Sequence, residues 1–392
     1  MRVLVACSLG GSGHLNPLLP FLAAARRRGD ETIVVGPPAL REMVEEAGYT
    51  FCAGGEPPEA EVASIRERLP VAPAEEASVL GNRELFGRLA TAAMLPGMEQ
   101  ICGEWRPHLV LREPCEYASA VVAGRLGIPM AQVGISLAEA EAGSITAAAP
   151  ALENHRAGLV EELRASPYLT RFPASLDPSP FPTTVRFREP VAAPGSRLPD
   201  WWGGSEAPLA YVSFGTVLGH MSSAAGVYRA AMLAVADLDV RVLLTVGRRF
   251  DPSTLGPTPA NVHVEAWVDQ RDVFDQADLV VCHGGSGTAF GALAAGLPLV
   301  VVPMFADQFV NGRRIADNGA GVIVEAEQAT TGLARTVIGE GDATRIASAI
   351  TTVLAGPSYA HHARRIAGEM AAALDVDQLL TALLDGAIGP PR

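Results

Sequence analysis

The sequence predicts an α/β protein with two Rossmann-like domains, each built on a parallel β-sheet, that face each other across a central cleft. Two series of short apolar runs alternate with amphipathic segments, which is typical of parallel sheets covered by helices on both faces. A stretch rich in Pro, Gly and Trp, from about residue 190 to residue 208, separates the series. A chain of 392 residues also exceeds one ordinary core. These observations favour two domains of comparable size.

The first series of runs defines the N-terminal domain. Apolar, β-rich runs predict strands, and the amphipathic segments between several of them predict helices. The strands are residues 2–8, 31–36, 49–54, 108–113 and 128–134, and the helices are residues 17–28, 38–47 and 115–126. Segments 55–107 and 136–185 are irregular by comparison, and irregular segments at a cleft edge commonly determine substrate selectivity.

The second series defines the C-terminal domain, and residues 340–386 are mainly helical. Its predicted strands are residues 209–216, 241–247, 262–268, 277–285, 297–304 and 321–325. Because ligands bind beyond the carboxyl ends of parallel strands, two such domains create a cleft. We therefore divide the chain into an N-terminal domain (1–190), a linker (191–208), a C-terminal domain (209–375) and a tail (376–392). Packing of the tail back on the N-terminal domain is left open.

Composition disfavours several classes of partner. The net charge of −13 argues against nucleic acid and anionic membranes, since both favour a basic face. Five cysteines without CxxC spacing are typical of reduced cytoplasmic thiols. Gly, His, Asn and Pro interrupt the first apolar run before it reaches the length of a signal peptide's apolar region, and no run reaches the roughly 18 apolar residues of a membrane span. We expect a soluble, cytoplasmic protein.

Residues 267–311 are the most informative stretch of the chain. An apolar strand (277–282) runs into the turn His283-Gly284-Gly285-Ser286-Gly287-Thr288, which a helix, a second buried strand (297–303) and the pair Asp307-Gln308 follow. This order places small residues and backbone N–H groups at a helix N-terminus, where a diphosphate is stabilised without Lys or metal. The stretch therefore predicts an anion-binding site.

A second candidate site follows the first predicted strand. His14 lies in the turn GGSGHLNP (10–17), just before a helix that Pro17 starts. A helix N-terminus disfavours the imidazolium, so His14 stays neutral and accepts a proton near pH 7 as a general base. Glu113 ends a strand at the same sheet edge, where it would fix the tautomer of His14 and stabilise its cation. The alternatives are a turn histidine bonded to backbone and an exposed glutamate at the start of a loop.

Four other positions have both a functional and a structural interpretation. Trp267 would stack on a nucleobase or pack in the core, and Thr216 would bind phosphate or end a turn. The pair Asp307-Gln308 would bind sugar hydroxyls or cap a helix.

Cofactor motifs are weak in this chain. The turn before the first helix has Asn16 where a GxGxxG dinucleotide motif needs its third Gly, which disfavours NAD. The DxD sequences at 237–239 and 375–377 do not follow a strand that faces the predicted phosphate turn. We therefore expect no cofactor and no metal.

Taken together, these positions resemble the family 1 glycosyltransferases, which have the two-Rossmann GT-B fold and transfer a sugar from a nucleotide donor with inversion. The resemblance covers nearly the whole chain, and its most specific part is the series WVDQ, HGGSGT and DQFVN within 267–311. It implies that His14 is the base and Glu113 its orienting partner. The other implied contacts are Thr216, Trp267, Val268, His283, Ser286, Gly287 and Thr288 for the nucleotide and diphosphate, and Asp307 and Gln308 for the donor sugar.

The chain departs from that family at two positions. The partner of the base is usually Asp, and Glu113 is one methylene longer. Many UDP-sugar enzymes carry a Glu that binds the ribose hydroxyls, eight residues beyond the histidine that corresponds to His283. This chain has Gly291 at that position. A 2′-deoxyribose has one hydroxyl fewer, so we predict TDP rather than UDP as the donor nucleotide.

The acidic, Arg-rich and Lys-poor composition is consistent with a high-GC bacterium, so the family members that this chain most resembles are those that glycosylate antibiotics, namely macrolides, enediynes and aromatic polyketides. The predicted function is therefore inverting, metal-independent transfer of a deoxysugar from a TDP-sugar to a large apolar aglycone. The acceptor candidates, which are equally good core residues, are Phe86, Met94, Met98 and Phe181. A nucleotide-sugar epimerase or hydrolase on the same fold, and a non-catalytic nucleotide-sugar-binding partner protein, stay open as alternatives. A homodimer is compatible with the sequence.

Overall fold

The chain divides into two compact units in the computed structural model. The first unit is Met1–Pro190 together with Ala372–Arg392, and the second is Val191–Ala371. The structure describes residues 1–9, 11–69, 72–189, 195–219, 224–304, 307–326 and 338–389. Gly10 of the predicted His14 turn, residue 190 and the first part of the predicted linker (191–194), and the end of the predicted tail (390–392) lie outside these ranges.

The first unit contains an eight-stranded parallel sheet with the order β14-β7-β6-β5-β4-β1-β2-β3. Val and Leu dominate the central strands, as expected for strands buried on both faces. The strands are β1 (Arg2–Ala6), β2 (Glu31–Gly36), β3 (Phe51–Ala53), β4 (Leu109–Arg112), β5 (Met130–Val133), β6 (Tyr168–Thr170), β7 (Thr184–Arg188) and, near the C-terminus, β14 (Leu374–Asp375).

Helices cover this sheet. They are α1 (Ser12–Leu15), α2 (Leu19–Arg28), α3 (Arg41–Glu46), α4 (Glu59–Arg68), α5 (Ala74–Ser78), α6 (Thr91–Trp105), α7 (Ala118–Leu126), α8 (Ala138–His155), α9 (Leu159–Ala165) and, near the C-terminus, α17 (Val376–Leu384). A π-helical segment, Val79–Ala90, connects α5 to α6, and 3-10 turns occupy Asn16–Leu18 and Pro38–Leu40. Helix α17 buries its apolar side in the same core as α2, and Arg27 of α2 forms an ion pair with Asp377.

The second unit contains a six-stranded parallel sheet with the order β10-β9-β8-β11-β12-β13. Its strands are β8 (Leu209–Ser213), β9 (Arg241–Thr245), β10 (Val262–Glu265), β11 (Leu279–Cys282), β12 (Leu299–Val301) and β13 (Gly321–Ile323). Its helices are α10 (Gly215–Leu218), α11 (Ala224–Val235), α12 (Gln270–Phe274), α13 (Ser286–Ala294), α14 (Gln308–Asp317), α15 (Ala343–Ala355) and α16 (Pro357–Ala371), with 3-10 turns at Pro252–Leu255 and Glu340–Asp342.

Every strand predicted from the sequence is confirmed, and all except β2 are shorter than the apolar runs suggest. The prediction that segments 55–107 and 136–185 are irregular is wrong, because the first is mainly helical and the second contains the helices α8 and α9 and the strand β6. Pro96 lies inside α6 and Pro150 inside α8, and such prolines obscure the helical pattern. These helices are held by packing: α8 lies against the π-helical segment, and Gly87 and Ala148 make that approach close.

Each sheet has one switch point, a position between two neighbouring strands from which the chain extends the sheet first in one direction and then in the other. In the first sheet this point lies between β1 and β4, because β2 and β3 follow on one side of β1 and β4 lies on its other side. In the second sheet it lies between β8 and β11, with β9 on the far side of β8. Crevices at such points, beyond the carboxyl ends of the strands, are where ligands of parallel α/β sheets bind.

Candidate active site

His14 lies in a single helical turn after β1. The turn α1 has extended Gly11 as its N-cap and continues through the 3-10 turn into α2. The prediction that the helix starts at Pro17 is therefore wrong, since Pro17 lies within the 3-10 turn, where its missing N–H costs little. His14 still lies in the first turn after the N-cap, so its ring stays near a helix N-terminus.

The ring of His14 contacts a carboxylate from the other side of the switch point. Its Nδ1 atom lies 3.3 Å from Oε2 of Glu113, which follows β4. Glu113 is fully buried, whereas the His14 side chain is 20% exposed. The two predicted partners are therefore brought together, because adjacent β1 and β4 end at the same sheet edge. Phe86, on the π-helical segment, has its ring centre 6.1 Å from that of His14.

Three further donors hold the Glu113 carboxylate. The backbone N–H of Ser8 donates to Oε1 at 3.0 Å, and the Ser8 hydroxyl donates to the same oxygen. The backbone N–H of Cys115 donates to Oε2 at 2.7 Å. Burial alone would raise the pKa of Glu113, but the charge of His14 and the hydrogen bonds from His14, Ser8 and Cys115 outweigh it and lower this pKa. Glu113 is therefore maintained as an anion beneath His14.

A buried arginine shapes the loop that carries Glu113. Arg112, the last residue of β4, is fully buried, and its Nη1 donates to the carbonyl oxygens of Glu113, Pro114 and Glu116 at 3.0, 3.0 and 2.8 Å. Its Nη2 donates to Oε1 of Gln132 at 3.1 Å. Charge-assisted hydrogen bonds of this kind fix a loop more firmly than neutral ones. Sequence reasoning missed Arg112, since a charged residue inside an apolar strand run gives no indication of where it points.

In the second unit, the segment 283–288, here called the glycine turn, connects β11 to α13. Gly284 has a φ of +85°, and a Cβ there would lie 2.8 Å from Val301 and 2.9 Å from the carbonyl oxygen of Gln308. Only glycine fits this position. Ser286 begins α13 and Gly287 is exposed, so the turn presents backbone N–H groups at a helix N-terminus.

His283 lies against the loops after both β8 and β11. A Cβ on Gly215 or on Gly285 would come within 2.8 or 2.4 Å of the His283 ring. Burial lowers the pKa of His283 to about 4, and the nearby charge of Asp307 and a backbone hydrogen bond with Ser213 only partly oppose this effect. Its Nδ1 atom is buried and unpartnered within the described residues. His283 is therefore neutral near pH 7.

Polar side chains after β12 support the glycine turn. Asp307 Oδ2 accepts from the Ser286 hydroxyl at 3.2 Å and from Nδ2 of Asn311 at 3.1 Å. Asn311, fully buried, also donates to the carbonyl oxygen of Gly284 at 2.8 Å. Gln308 is 3% exposed, and its Oε1 accepts from the backbone N–H of Met304 at 2.9 Å. The structure thus places Asp307 at the turn, and Gln308 beneath it.

The other predicted nucleotide contacts differ in exposure. Thr216 is exposed after β8, whereas Thr288 is buried and its hydroxyl accepts from Nε2 of Gln270 at 2.9 Å. Trp267 is 50% exposed, with the Arg248 guanidinium 4.4 Å from its ring centre. Trp267 is thus available for stacking rather than packed in the core. The side chain of Val268 beside it is half-buried.

Three predicted acceptor contacts are corrected by their burial. Met94 and Met98 are 2% and 0% exposed and pack in the core between the first sheet and α6. Phe181 is 5% exposed and stacks on Tyr168 with ring centres 4.4 Å apart. These side chains fill the core, where apolar residues at helical spacing commonly lie. Phe86 is the predicted acceptor residue that the structure places beside His14.

Within the described residues, the His, Cys, Asp and Glu side chains form no group of three or more that could hold a metal ion. The described helices include none that is long and apolar enough to cross a bilayer.

Two parallel α/β units, one with a histidine against a buried carboxylate and the other with a glycine turn at a helix N-terminus, form the architecture of a glycosyltransferase of the GT-B type, and the similarity to known proteins shows this class. The family models for the N- and C-terminal domains of erythromycin biosynthesis protein CIII-like proteins match residues 23–208 and 229–383. The chain is also 31% identical to the elloramycin glycosyltransferase ElmGT of Streptomyces olivaceus over 94% of this chain and 93% of that one. It therefore belongs to the EryCIII-like family of glycosyltransferases.

A solved structure supports the fold over the full length. The spinosyn rhamnosyltransferase SpnG in complex with thymidine diphosphate matches with a TM-score of 0.76 at 24% identity, over 98% of this chain and 100% of that one. The same enzyme in complex with the spinosyn aglycone matches with a TM-score of 0.77 at 25% identity and the same coverage. The chain thus has the fold of these transferases.

Proposed function

We propose that this glycosyltransferase moves a deoxysugar from a TDP-sugar to a hydrophobic natural-product aglycone, with inversion and without a metal ion, and that His14 is the general base. The observation that carries the proposal is the 3.3 Å contact of His14 with fully buried Glu113, at the switch point of the first sheet. A histidine backed by a fixed carboxylate is suited to taking a proton from a substrate hydroxyl.

The proposed reaction is a single displacement. Nε2 of His14 removes the proton of the acceptor hydroxyl as the acceptor oxygen bonds to the anomeric carbon of the sugar. The bond from that carbon to the diphosphate breaks, and its electron pair leaves with the TDP. Glu113 stabilises the imidazolium that forms, because a nearby anion favours the charged ring. Base catalysis of this kind contributes about 10²–10⁴-fold in rate.

The second unit is proposed to bind the donor. Backbone N–H groups of the glycine turn and the positive end of α13 stabilise the charge that develops on the leaving diphosphate. Neutral His283 and exposed Thr216 are contacts for phosphate, with Ser286, Gly287 and Thr288. The exposed ring of Trp267, flanked by Val268, stacks on the base, and Asp307 and Gln308 bind the sugar.

The preference for TDP rests on the surroundings of Gly291. A Cβ at Gly291 would lie 3.0 Å from Cε2 of Phe274, so an aromatic ring occupies the space beside this position in α13. A ribose-binding carboxylate is absent there, and a deoxyribose loses less by its absence. That SpnG forms a complex with thymidine diphosphate supports the same nucleotide for this chain.

The acceptor is proposed to be a large apolar aglycone with a hydroxyl group. ElmGT is an elloramycin glycosyltransferase, and SpnG forms a complex with the spinosyn aglycone. In this chain Phe86, which is partly exposed, offers an apolar surface beside the base. An apolar wall with a few polar groups is the usual form of a small-molecule site.

Calorimetry with TDP and UDP, followed by turnover assays with TDP-rhamnose, other TDP-sugars and an aglycone panel that includes the spinosyn aglycone, tests the proposal. We expect tighter binding of TDP, a glycoside with inverted anomeric configuration and unchanged turnover in EDTA. UDP binding as tightly as TDP would contradict the nucleotide assignment. Consumption of the TDP-sugar without any aglycone would favour an epimerase or hydrolase, and TDP binding with no turnover across the panel would favour a non-catalytic partner.

A further inference from the structure

The carboxylate of Glu113 is held by a different set of donors at each oxygen. Oε1 accepts only from Ser8 among the contacts described above, through the backbone N–H at 3.0 Å and through the hydroxyl. Oε2 accepts from the backbone N–H of Cys115 at 2.7 Å and faces Nδ1 of His14 at 3.3 Å. Ser8 is itself 5% exposed. Ser8 therefore holds the carboxylate oxygen that does not face His14, and this pair of bonds is here called the Ser8 clamp.

The length of Glu113 makes this clamp necessary. Glutamate has one more rotatable bond than aspartate, and its terminal torsion has a broad, roughly two-fold preference. With the backbone N–H groups of Ser8 and Cys115 alone, the carboxylate is held less firmly in the orientation that faces the imidazole. Because two groups of one residue hold Oε1, the other oxygen is directed at Cys115 and His14. Hydrogen bonds to an ionised carboxylate are strong enough to select one rotamer.

We propose that Ser8 is a positioning residue that lets a glutamate, rather than an aspartate, orient His14 through Nδ1. This proposal rests on the proposed role of His14 as base and adds to it the residue that fixes the Glu113 rotamer. The Ser8 hydroxyl donates to Glu113 Oε1 and Oε2 lies 3.3 Å from Nδ1 of His14, so in the proposed arrangement Nδ1 faces the carboxylate and Nε2 takes the proton. The lowered pKa of Glu113, to which the Ser8 hydrogen bond contributes, is consistent with this arrangement.

The chain contains a matched control for Ser8. Ser119 is fully buried, its hydroxyl donates to Oε2 of Glu116, and its backbone N–H donates to Oε1 of the same carboxylate at 3.0 Å. The Glu116 carboxylate accepts these bonds from a residue of helix α7. Removal of the Ser119 hydroxyl therefore breaks the same kind of bond, to a buried carboxylate, outside the His14 contact.

The first experiment measures turnover, with the donor and aglycone pair that gives product. We expect Ser8→Ala to lower kcat by about 10- to 100-fold, with the Kd of TDP unchanged, because one hydrogen bond to a charged group is lost. Ser8→Thr retains a hydroxyl, so its kcat should stay within a few-fold of wild type. Valine has the shape of threonine but no hydroxyl, so Ser8→Val should behave like Ser8→Ala. Ser119→Ala should retain kcat.

A double-mutant cycle separates positioning from general structural damage. In a Glu113→Ala background the Ser8→Ala change should lower kcat little further, since no carboxylate is left to hold. An equal loss in both backgrounds, or equal activity of Ser8→Thr and Ser8→Val, would overturn the proposal.

A spectroscopic measurement is independent of turnover. In protein labelled with ¹⁵N-histidine, the ring signals of His14, assigned with His14→Ala, should change in Ser8→Val and stay unchanged in Ser8→Thr and Ser119→Ala. An unchanged His14 signal in Ser8→Val would reject Ser8 as a positioning residue. If His14→Ala retains full turnover while Ser8→Val shifts the ring signal, the base assignment fails and the clamp stands.

Discussion

Two histidines lie beside the switch points of the two sheets, and the structure gives them opposite surroundings. His14 follows the strand at the switch point of the first sheet and lies 3.3 Å from a buried carboxylate. His283 follows β11, which lies across the switch point of the second sheet as β4 does in the first, and burial lowers its pKa to about 4. A nearby anion favours a charged imidazole, whereas burial without close compensation disfavours it. The topology thus places both rings at the carboxyl ends of strands, where ligands of parallel sheets bind, and the neighbouring groups determine which charge state of each imidazole is favoured.

The same contrast occurs between two carboxylates three residues apart. Glu113 and Glu116 are both fully buried in the loop after β4. Burial raises the pKa of Glu116, and its bonds from Ser119 and the charge of Arg112 do not offset that effect. The pKa of Glu113 is lowered, because His14, Ser8 and Cys115 together do offset it. The partners of each carboxylate therefore decide the direction of its pKa, which is lowered for Glu113 beside His14 and raised for Glu116.

The largest expected effect separates the two histidines by the kinetic constant that each controls. His14→Ala should lower kcat by about 10²–10⁴-fold with the Kd of TDP nearly unchanged, because only the proton acceptor is lost. His283→Ala should mainly raise the Kd and KM of the donor, since its ring packs against the glycine turn. Steady-state kinetics and calorimetry measure both, and exposed His361→Ala is the control. Full turnover by His14→Ala would remove the functional contrast between the two sites.

The next effect tests whether the glycine turn depends on close packing with His283. A Cβ at Gly285 would lie 2.4 Å from Nε2 of His283, so Gly285→Ala forces the ring or the turn to move. We expect the Kd of TDP to rise about tenfold or more, as overpacking of this kind is costly. Gly226→Ala, in helix α11 with open space around its Cβ, should leave that Kd unchanged. Equal TDP affinity in both variants would show that the turn adapts without cost.

The sequence predicts most strands of the fold but only part of the candidate site. Apolar runs identify the strands, since strands buried on both faces need continuous Val, Leu and Ile. The pairing of His14 with Glu113 follows from two predicted strand ends and is present in the structure. The contributions of Ser8, Arg112 and Gln270 were missed, because each depends on where a side chain points rather than on its spacing. The helices in 55–107 and 136–185 were missed because packing, more than local pattern, stabilises them.

The smallest effect concerns stability and its pH dependence. The pKa of His283 is about 4 in the folded chain, below the value of about 6.5 in an unfolded one. Between these two pKa values the unfolded state binds a proton at His283 that the folded state does not bind. The contribution of neutral His283 to the free energy of unfolding is therefore complete above about pH 6.5 and is lost as the pH falls towards 4. The shift corresponds to at most about 3 kcal/mol, and partial exposure of the residue reduces it to roughly 1–2 kcal/mol.

Wild type should therefore lose more stability between pH 6.5 and 4 than His283→Gln, whose side chain does not titrate. Thermal unfolding of the full chain with and without this change measures the difference, and His361→Gln controls for the loss of an exposed histidine. Parallel curves for wild type and His283→Gln would contradict the lowered pKa, because they would mean that folding does not change the pKa of His283.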